Sequence, residues 1–439
     1  MRRLSVFIVV CTLVVGLAGV AEAASPTIPA NRPKPLVGVE NGKVPPNRLV
    51  YATAMCRPAR EAGPSIYRLF MLARISNLNL DGEECYRPLN LQVDYRNRAT
   101  QPGNNSACVA SVGRSATGAP VGRSYHGWGK ASDMRENGRS LTFSSRGFAF
   151  LTWNANALGW NHPAFARPGQ PCPEPWHWEW VGDGGNLGLS PVRGDVVALL
   201  PSADDKGYGV VTGLGAIGRH GNFVDRGNAS RIALQWVIVG AATTPNRGGY
   251  WMVGADGGVF TFGNARFLGS TGNRRLNSPV NSLAPTRSGN GYYLLAWDGG
   301  VFTFGDAKFH GSTGNKRLNR PVVGMTMTKS GRGYRLVASD GGIFSFGDAK
   351  FYGSLGNKRL ASPVLGMAPT PSGKGYWMFA ADGGVFTFGD AKFYGSIGGF
   401  KAGSPMVAFT STKTGKGYWL ATANGRVWGF GDARHYGDG

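Results

Sequence analysis

The sequence predicts a multidomain protein: an α+β domain followed by an all-β repeat domain, expected to be a six-bladed β-propeller. Three observations carry this. Residues 47–185 mix helical and strand-like patterning, residues 195–439 repeat every 42 residues, and a proline-rich stretch at 24–46 precedes both. At 439 residues the chain has room for two or three domains, each with its own core.

Residues 1–23 read as a secretory signal peptide. Arg2 and Arg3 form a basic start, an apolar stretch runs from Leu4 to Ala18, and Ala21-Glu22-Ala23 suits signal peptidase. The apolar core is short and broken by Gly16 and Gly19, which argues against a membrane anchor. The mature protein is therefore expected to be exported, without a transmembrane anchor, and either secreted or held at the cell wall. Residues 24–46, with Pro26, Pro29, Pro33, Pro35, Pro45 and Pro46, read as an extended linker.

In the α+β domain, Ile66, Leu69, Phe70 and Ala73 follow Pro64-Ser65 at helical spacing. A second helix is expected from Ser145 to Leu158, stopped by Gly159. Leu91–Tyr95 and Trp176–Val181 look like short strands. Cys56, Cys85, Cys108 and Cys172 remain after signal removal, an even number that suggests two disulfides in an exported chain. Three connectivities are open; pairing of sequence neighbours favours Cys56–Cys85 and Cys108–Cys172.

In the repeat domain Tyr250, Tyr292, Tyr334, Tyr376 and Tyr418 stand 42 residues apart, and a degenerate copy contains Tyr208. Six units begin near 195, 237, 279, 321, 363 and 405. Each offers about four short strands; in the third these are Val280–Ala284, Tyr292–Ala296, Val301–Phe304 and Lys308–His310. Asp298-Gly299-Gly300 suits a tight hairpin turn rather than a calcium site. Blades of this length would close a ring without a long free edge, the alternative being an open solenoid of hairpins.

The formal charge of +22 implies an anionic environment. Export argues against nucleic acid and leaves an acidic membrane face or the anionic polymers of a bacterial wall. Arg266, Lys308, Lys350, Lys392 and Arg434 occupy one repeat position, and Arg274-Arg275, Lys316-Arg317 and Lys358-Arg359 another. In a ring these would form cationic circles able to hold a polyanion or another protein, although duplication of a solvated face explains them equally. Tyr250, Trp251, Phe260 and Phe262 read as blade core.

Chemistry concentrates in Ser124–Asp133 and Glu174–Trp180. Two imidazoles and a carboxylate can hold Zn2+ with one position left for water, and a further carboxylate can take that water's proton. His126, Asp133 and His177 are the candidate metal ligands and Glu174 the candidate base. Gly127 and Gly129 let the chain turn between His126 and Asp133, which would face apart in a straight strand. A bend at Pro175 followed by a strand would place His177 and Glu174 at one centre. His162, His220, His310 and His435 have no ligand-spaced partners and read as surface or packing residues.

These motifs resemble the VanY-type zinc D-alanyl-D-alanine carboxypeptidases and dipeptidases. The family pattern S-x-H-x-x-G-x-A-x-D is met by Ser124, His126, Gly129, Ala131 and Asp133, and E-P-W-H by Glu174 to His177. A helix motif of that family is similar to Phe148–Trp160, and its upstream G-Y-R, with glutamine five residues after the arginine, is met by Tyr95, Arg96 and Gln101. Asp94 replaces the glycine and Phe150 the usual tryptophan. The resemblance implies a zinc site of His126, Asp133 and His177, Glu174 as catalytic base, and Arg96 polarising the scissile carbonyl. It makes Ser124 and Gln101 candidate substrate contacts. The implied substrate is the peptide stem of peptidoglycan, cut at a D-alanyl-D-alanine or related bond. The rival readings are an endopeptidase of cross-links and a non-catalytic wall-binding protein on a peptidase fold.

Overall fold

A computed structural model describes residues 33–99, 122, 124–170, 173–181, 195–398 and 404–439, without the side chains of Arg96, Arg98, Ala99 and Ala157. The expected signal peptide, residues 24–32 of the linker, Gln101, Cys108 and Cys172 lie outside these residues. No helix among the described residues is long and apolar enough to cross a membrane. Residues 33–46, read as linker, are instead packed. Leu36 and Val44 are buried in a cluster with Leu49 and Ala59, so two apolar anchors override the proline-rich composition.

Helix α1 (Gly63–Ile75) starts with proline in its first turn, where the missing N–H costs nothing. It is buried on nearly every side, leaving only Arg68, Leu72 and Arg74 partly exposed. Strand β1 (Leu80–Glu83) leads to helix α2 (Leu89–Ala99). The strand expected at Leu91–Tyr95 is thus helical. Pro88 sets up the helix start, with Gln92 N–H bonding to its carbonyl at 3.1 Å, and the alternating apolars do not form a buried face, since Val93 is exposed. Strand β2 (Ala131–Glu136) pairs with β3 (Arg139–Ser140). Helix α3 (Arg146–Asn154) is capped by Ser145, whose hydroxyl accepts from Phe148 N–H at 3.2 Å. A single 3-10 turn then reaches Gly159, at φ 78°. Strands β4 (Trp160–Asn161) and β5 (His177–Trp180) complete an antiparallel sheet of order β1-β2-β5-β4, with β3 on β2. Cys56 and Cys85 form a disulfide, Cα–Cα 5.0 Å, which ties the loop after β1 to the segment before α1.

The repeats form six antiparallel sheets of three strands each, propeller-like and separately open. The first contains Val196–Pro201, Gly207–Thr212 and Ile217–Gly221, and the last Met406–Ser411, Gly417–Thr422 and Val427–Gly431. Middle strands are buried on both faces. The hairpin turn of the third sheet uses Gly299 at φ 79° and an Asp298 carboxylate that accepts from Gly300 N–H at 2.9 Å.

The expected fourth strand does not form. The Lys308–His310 segment has no ladder partner; its backbone is met by a tyrosine hydroxyl from the next sheet. Tyr334 Oη accepts from His310 N–H at 3.1 Å and donates to the Gly311 carbonyl at 2.5 Å. Gly311 sits at φ 130°, and a Cβ there would lie 2.5 Å from Phe346, so only glycine fits. The same pair of bonds recurs at Tyr250, Tyr292, Tyr376 and Tyr418. Tyr208, on the first sheet, makes it with Tyr436 and Gly437 at the chain's end.

Helix α1 is shared between the two halves. Its Ser65 hydroxyl accepts from Trp160 Nε1 at 2.8 Å on the sheet side. Towards the repeats, Gly63 meets Val237, Pro64 meets Gly213, and Arg68 Nη2 donates to the Val196 carbonyl at 3.0 Å. Trp297 Nε1 donates to Tyr67 Oη at 3.4 Å, and Ile75 packs with Val323 and Val337. Tyr51 adds a bridge to Trp236, their rings stacked at 5.3 Å. One apolar core consequently runs from Ile66 and Phe70 through Val237 to Trp251 and Leu294.

Candidate metal centre

Two strands and one turn bring the expected ligands together. Asp133 on β2 and His177 on β5 are direct cross-strand partners, so both side chains leave the same face of the sheet. His126 sits in a 3-10 turn, Tyr125–Trp128, ended by Gly129 at φ 67°. A Cβ on Gly129 would lie 2.4 Å from the Ala59 amide, so this turn needs glycine for space as well as conformation.

His126 Nε2, Asp133 Oδ1 and His177 Nδ1 form a triangle with edges of 3.2, 3.1 and 3.2 Å. The donor set suits zinc. A tetrahedral ion bound at about 2.0–2.1 Å spaces its ligand atoms by roughly 3.3 Å, so the three atoms need almost no rearrangement to share one. Among the described residues this is the one His/Cys/Asp/Glu group close enough to hold a metal ion.

Each imidazole is oriented from behind. His126 Nδ1 bonds to the Glu84 carbonyl, which turns Nε2 towards the centre. Glu84 lies at φ 50° and next to the Cys56–Cys85 disulfide, so the cross-link holds the loop that sets this ring. His177 Nε2 lies 3.3 Å from Glu179 Oε1, both residues being buried and on the same face of β5. Burial opposes a charge on His177, but Asp133 and Glu179 outweigh it and push the ring up to about 10. Burial also raises the Asp133 carboxyl, yet the two imidazoles outweigh that and hold it below its ordinary range. His126 is pushed down by burial.

Glu174 is half-buried at the bend before β5, and burial raises its carboxyl above the usual range while His177 opposes the shift. Its backbone is gripped on both sides: Glu174 N–H donates to Ala166 at 2.9 Å, and His162 Nε2 lies 3.0 Å from its carbonyl. His162 is a packing residue, as read, wedged among Phe143, Phe148 and Trp178. Ser124 is buried just ahead of the His126 turn, its carbonyl accepting from Asn41 and Gly127.

A different arginine from the expected one stands at this centre. Arg87 is buried, with Nη2 3.5 Å from Asp133 Oδ2 and Nε 2.9 Å from Glu84. Five residues on, Gln92 is buried and bonds to Asn41, the Arg87 carbonyl and Gly122. Tyr86-Arg87 and Gln92 thus repeat the spacing of Tyr95-Arg96 and Gln101, nine residues earlier. Arg96 falls on α2 with its side chain outside the described ones, and Gln101 lies outside them altogether. The spacing that marks Arg96 in the sequence thus marks Arg87 as well.

No protein-family model matches the chain, and no curated protein matches it. Among solved structures it is similar to the β-propeller domain of Cps50 (Swd1) from Myceliophteria thermophila, with 10% identity and a TM-score of 0.40, over 56% of this chain and 85% of that one.

Proposed function

We propose that the chain is an exported zinc metallopeptidase that hydrolyses D-alanyl-D-alanine or related bonds in peptidoglycan stem peptides, joined to a repeat domain that binds wall polymers or a partner. The observation that carries this reading is the convergence of His126, Asp133 and His177 from separate segments, with the raised carboxyl of Glu174 beside them. These three residues would hold the ion. When bound, zinc lowers the pKa of water and polarises a carbonyl. Glu174 takes a proton from the attacking water and returns one to the leaving amine, work suited to a carboxyl whose pKa burial has raised. Arg87 takes the role that the resemblance gave to Arg96: a fixed cation near Asp133, able to face negative charge as it develops on the substrate.

The repeat domain reads as a closed six-bladed propeller. Supporting closure, the last segment docks on the first sheet through Tyr208, and Val196 N–H donates to the Ala423 carbonyl at 2.9 Å.

Metal analysis of the purified protein, with mass identification of products from stem peptides and whole wall, tests the activity and separates carboxypeptidase from endopeptidase. Glu174→Ala should retain zinc and lose hydrolysis by roughly a hundredfold or more. A metal-free protein, or an unchanged rate in Glu174→Ala, overturns the assignment.

A further inference from the structure

A cleft of about 410 Å³ opens where the first half of the chain meets the third and fourth repeat units. Its charged lining comes from both sides: Arg74, Arg146 and Glu136 from the first half, Lys316, Arg320 and Asp298 from the repeats. Each carboxylate has one oxygen taken by a backbone N–H. Glu136 Oε2 accepts from Gly147 N–H at 2.9 Å, and Asp298 Oδ1 from Gly300 N–H at 2.9 Å. Among the described residues none of the four cations is paired with a carboxylate, and Arg320 Nη1 is buried without a partner. The four cations outnumber the two carboxylates of the lining, so an anion entering the cleft would lower their mutual repulsion.

The surface continues beyond the cleft. Arg274-Arg275, Lys316-Arg317 and Lys358-Arg359 are all exposed. Their loops share one conformation, with Arg274, Lys316 and Lys358 N–H donating to the carbonyl three residues back. Thr271 and Thr313 tie two of these loops to the Asp256 and Asp298 turns. The basic pairs therefore lie on the face of the repeats that carries these turns, where Trp297, Asp298 and Lys316 meet the first half. A single small anion would satisfy the cleft alone, whereas a chain of anions would also engage the neighbouring loops, each contact weak and the sum strong.

We propose that this cleft and the basic loops beside it bind a polymer of phosphodiesters, drawn across the junction between the two halves. The proposal stands apart from the metal chemistry, since it needs neither zinc nor hydrolysis. Calorimetric titration of the full chain with poly(glycerol phosphate), inorganic phosphate and uncharged dextran tests it. Lys316→Glu and Arg146→Gln change exposed residues, one from each side of the cleft. Each should weaken polymer binding by roughly tenfold, as expected for losing one charge-assisted contact, without lowering Tm. Lys392→Glu, at an exposed position on another unit and outside the cleft, should change it less than twofold. Binding should also weaken as salt rises. Unchanged affinity in both cleft variants, equal loss in Lys392→Glu, inorganic phosphate binding as tightly as the polymer, or no polymer binding at low salt would each overturn it.

Discussion

At the scale of single residues, the centre depends on groups that do not themselves point at it. Glu179 meets the outer nitrogen of His177, the arrangement by which a carboxylate fixes a ligand's tautomer and strengthens its donation. If the centre holds zinc as proposed, Glu179→Gln should lower zinc affinity by roughly ten- to a hundredfold, read by competition with a chromogenic chelator, while circular dichroism stays unchanged; equal affinity would leave Glu179 as packing. His162 affects the acid limit of stability. Burial holds its ring down to about 4, against an ordinary value of 6.5. Between those values the unfolded chain binds a proton that the folded chain refuses, so the stability present above pH 6.5 is lost as pH falls towards 4. The loss amounts to as much as about 3 kcal/mol. Urea unfolding across pH 4–7 should show a shallower acid decline for His162→Gln than for the natural chain, and parallel curves would refute the account.

At the scale of elements, legibility followed whether a segment's partner was local. Helix α1 and the Ser145-capped α3 were readable because proline, cap and apolar spacing all lie within a few residues. Within helix α2, Leu91, Val93 and Tyr95 alternate like a strand, while the burial that would make alternation meaningful is absent. The expected fourth strand fails for another reason. Its hydrogen-bonding groups are satisfied by a tyrosine hydroxyl of the next unit, a substitution invisible until sheets are placed side by side. The candidate ligands were legible as short motifs, whereas the approach of Arg87 to Asp133 needed the fold. The tyrosine contacts predict their own test. Tyr208→Phe removes the hydroxyl that fastens the last segment to the first sheet and should cost about 1–2 kcal/mol. Amide exchange should quicken at Tyr436 while Tyr292 and its partners stay protected; uniform exchange would deny the latch.

At the scale of the whole molecule, the repeats are a foundation for the candidate metal centre, not a tethered accessory. A helix buried all round needs neighbours on every side, and α1 takes them from the sheet that carries Asp133 on one flank and from repeat units on the other. Without the repeats, Pro64, Tyr67 and Ile75 would lose the neighbours they take from that side, and the helix that packs against β1 would be left partly uncovered. The two halves should consequently unfold together. Scanning calorimetry of the full chain should give one transition, and a fragment of residues 33–185 should lack the near-ultraviolet dichroism and the zinc uptake expected of the whole. Two separated transitions, or a fragment that folds and binds zinc unaided, would show that the shared core is dispensable and that the halves merely touch.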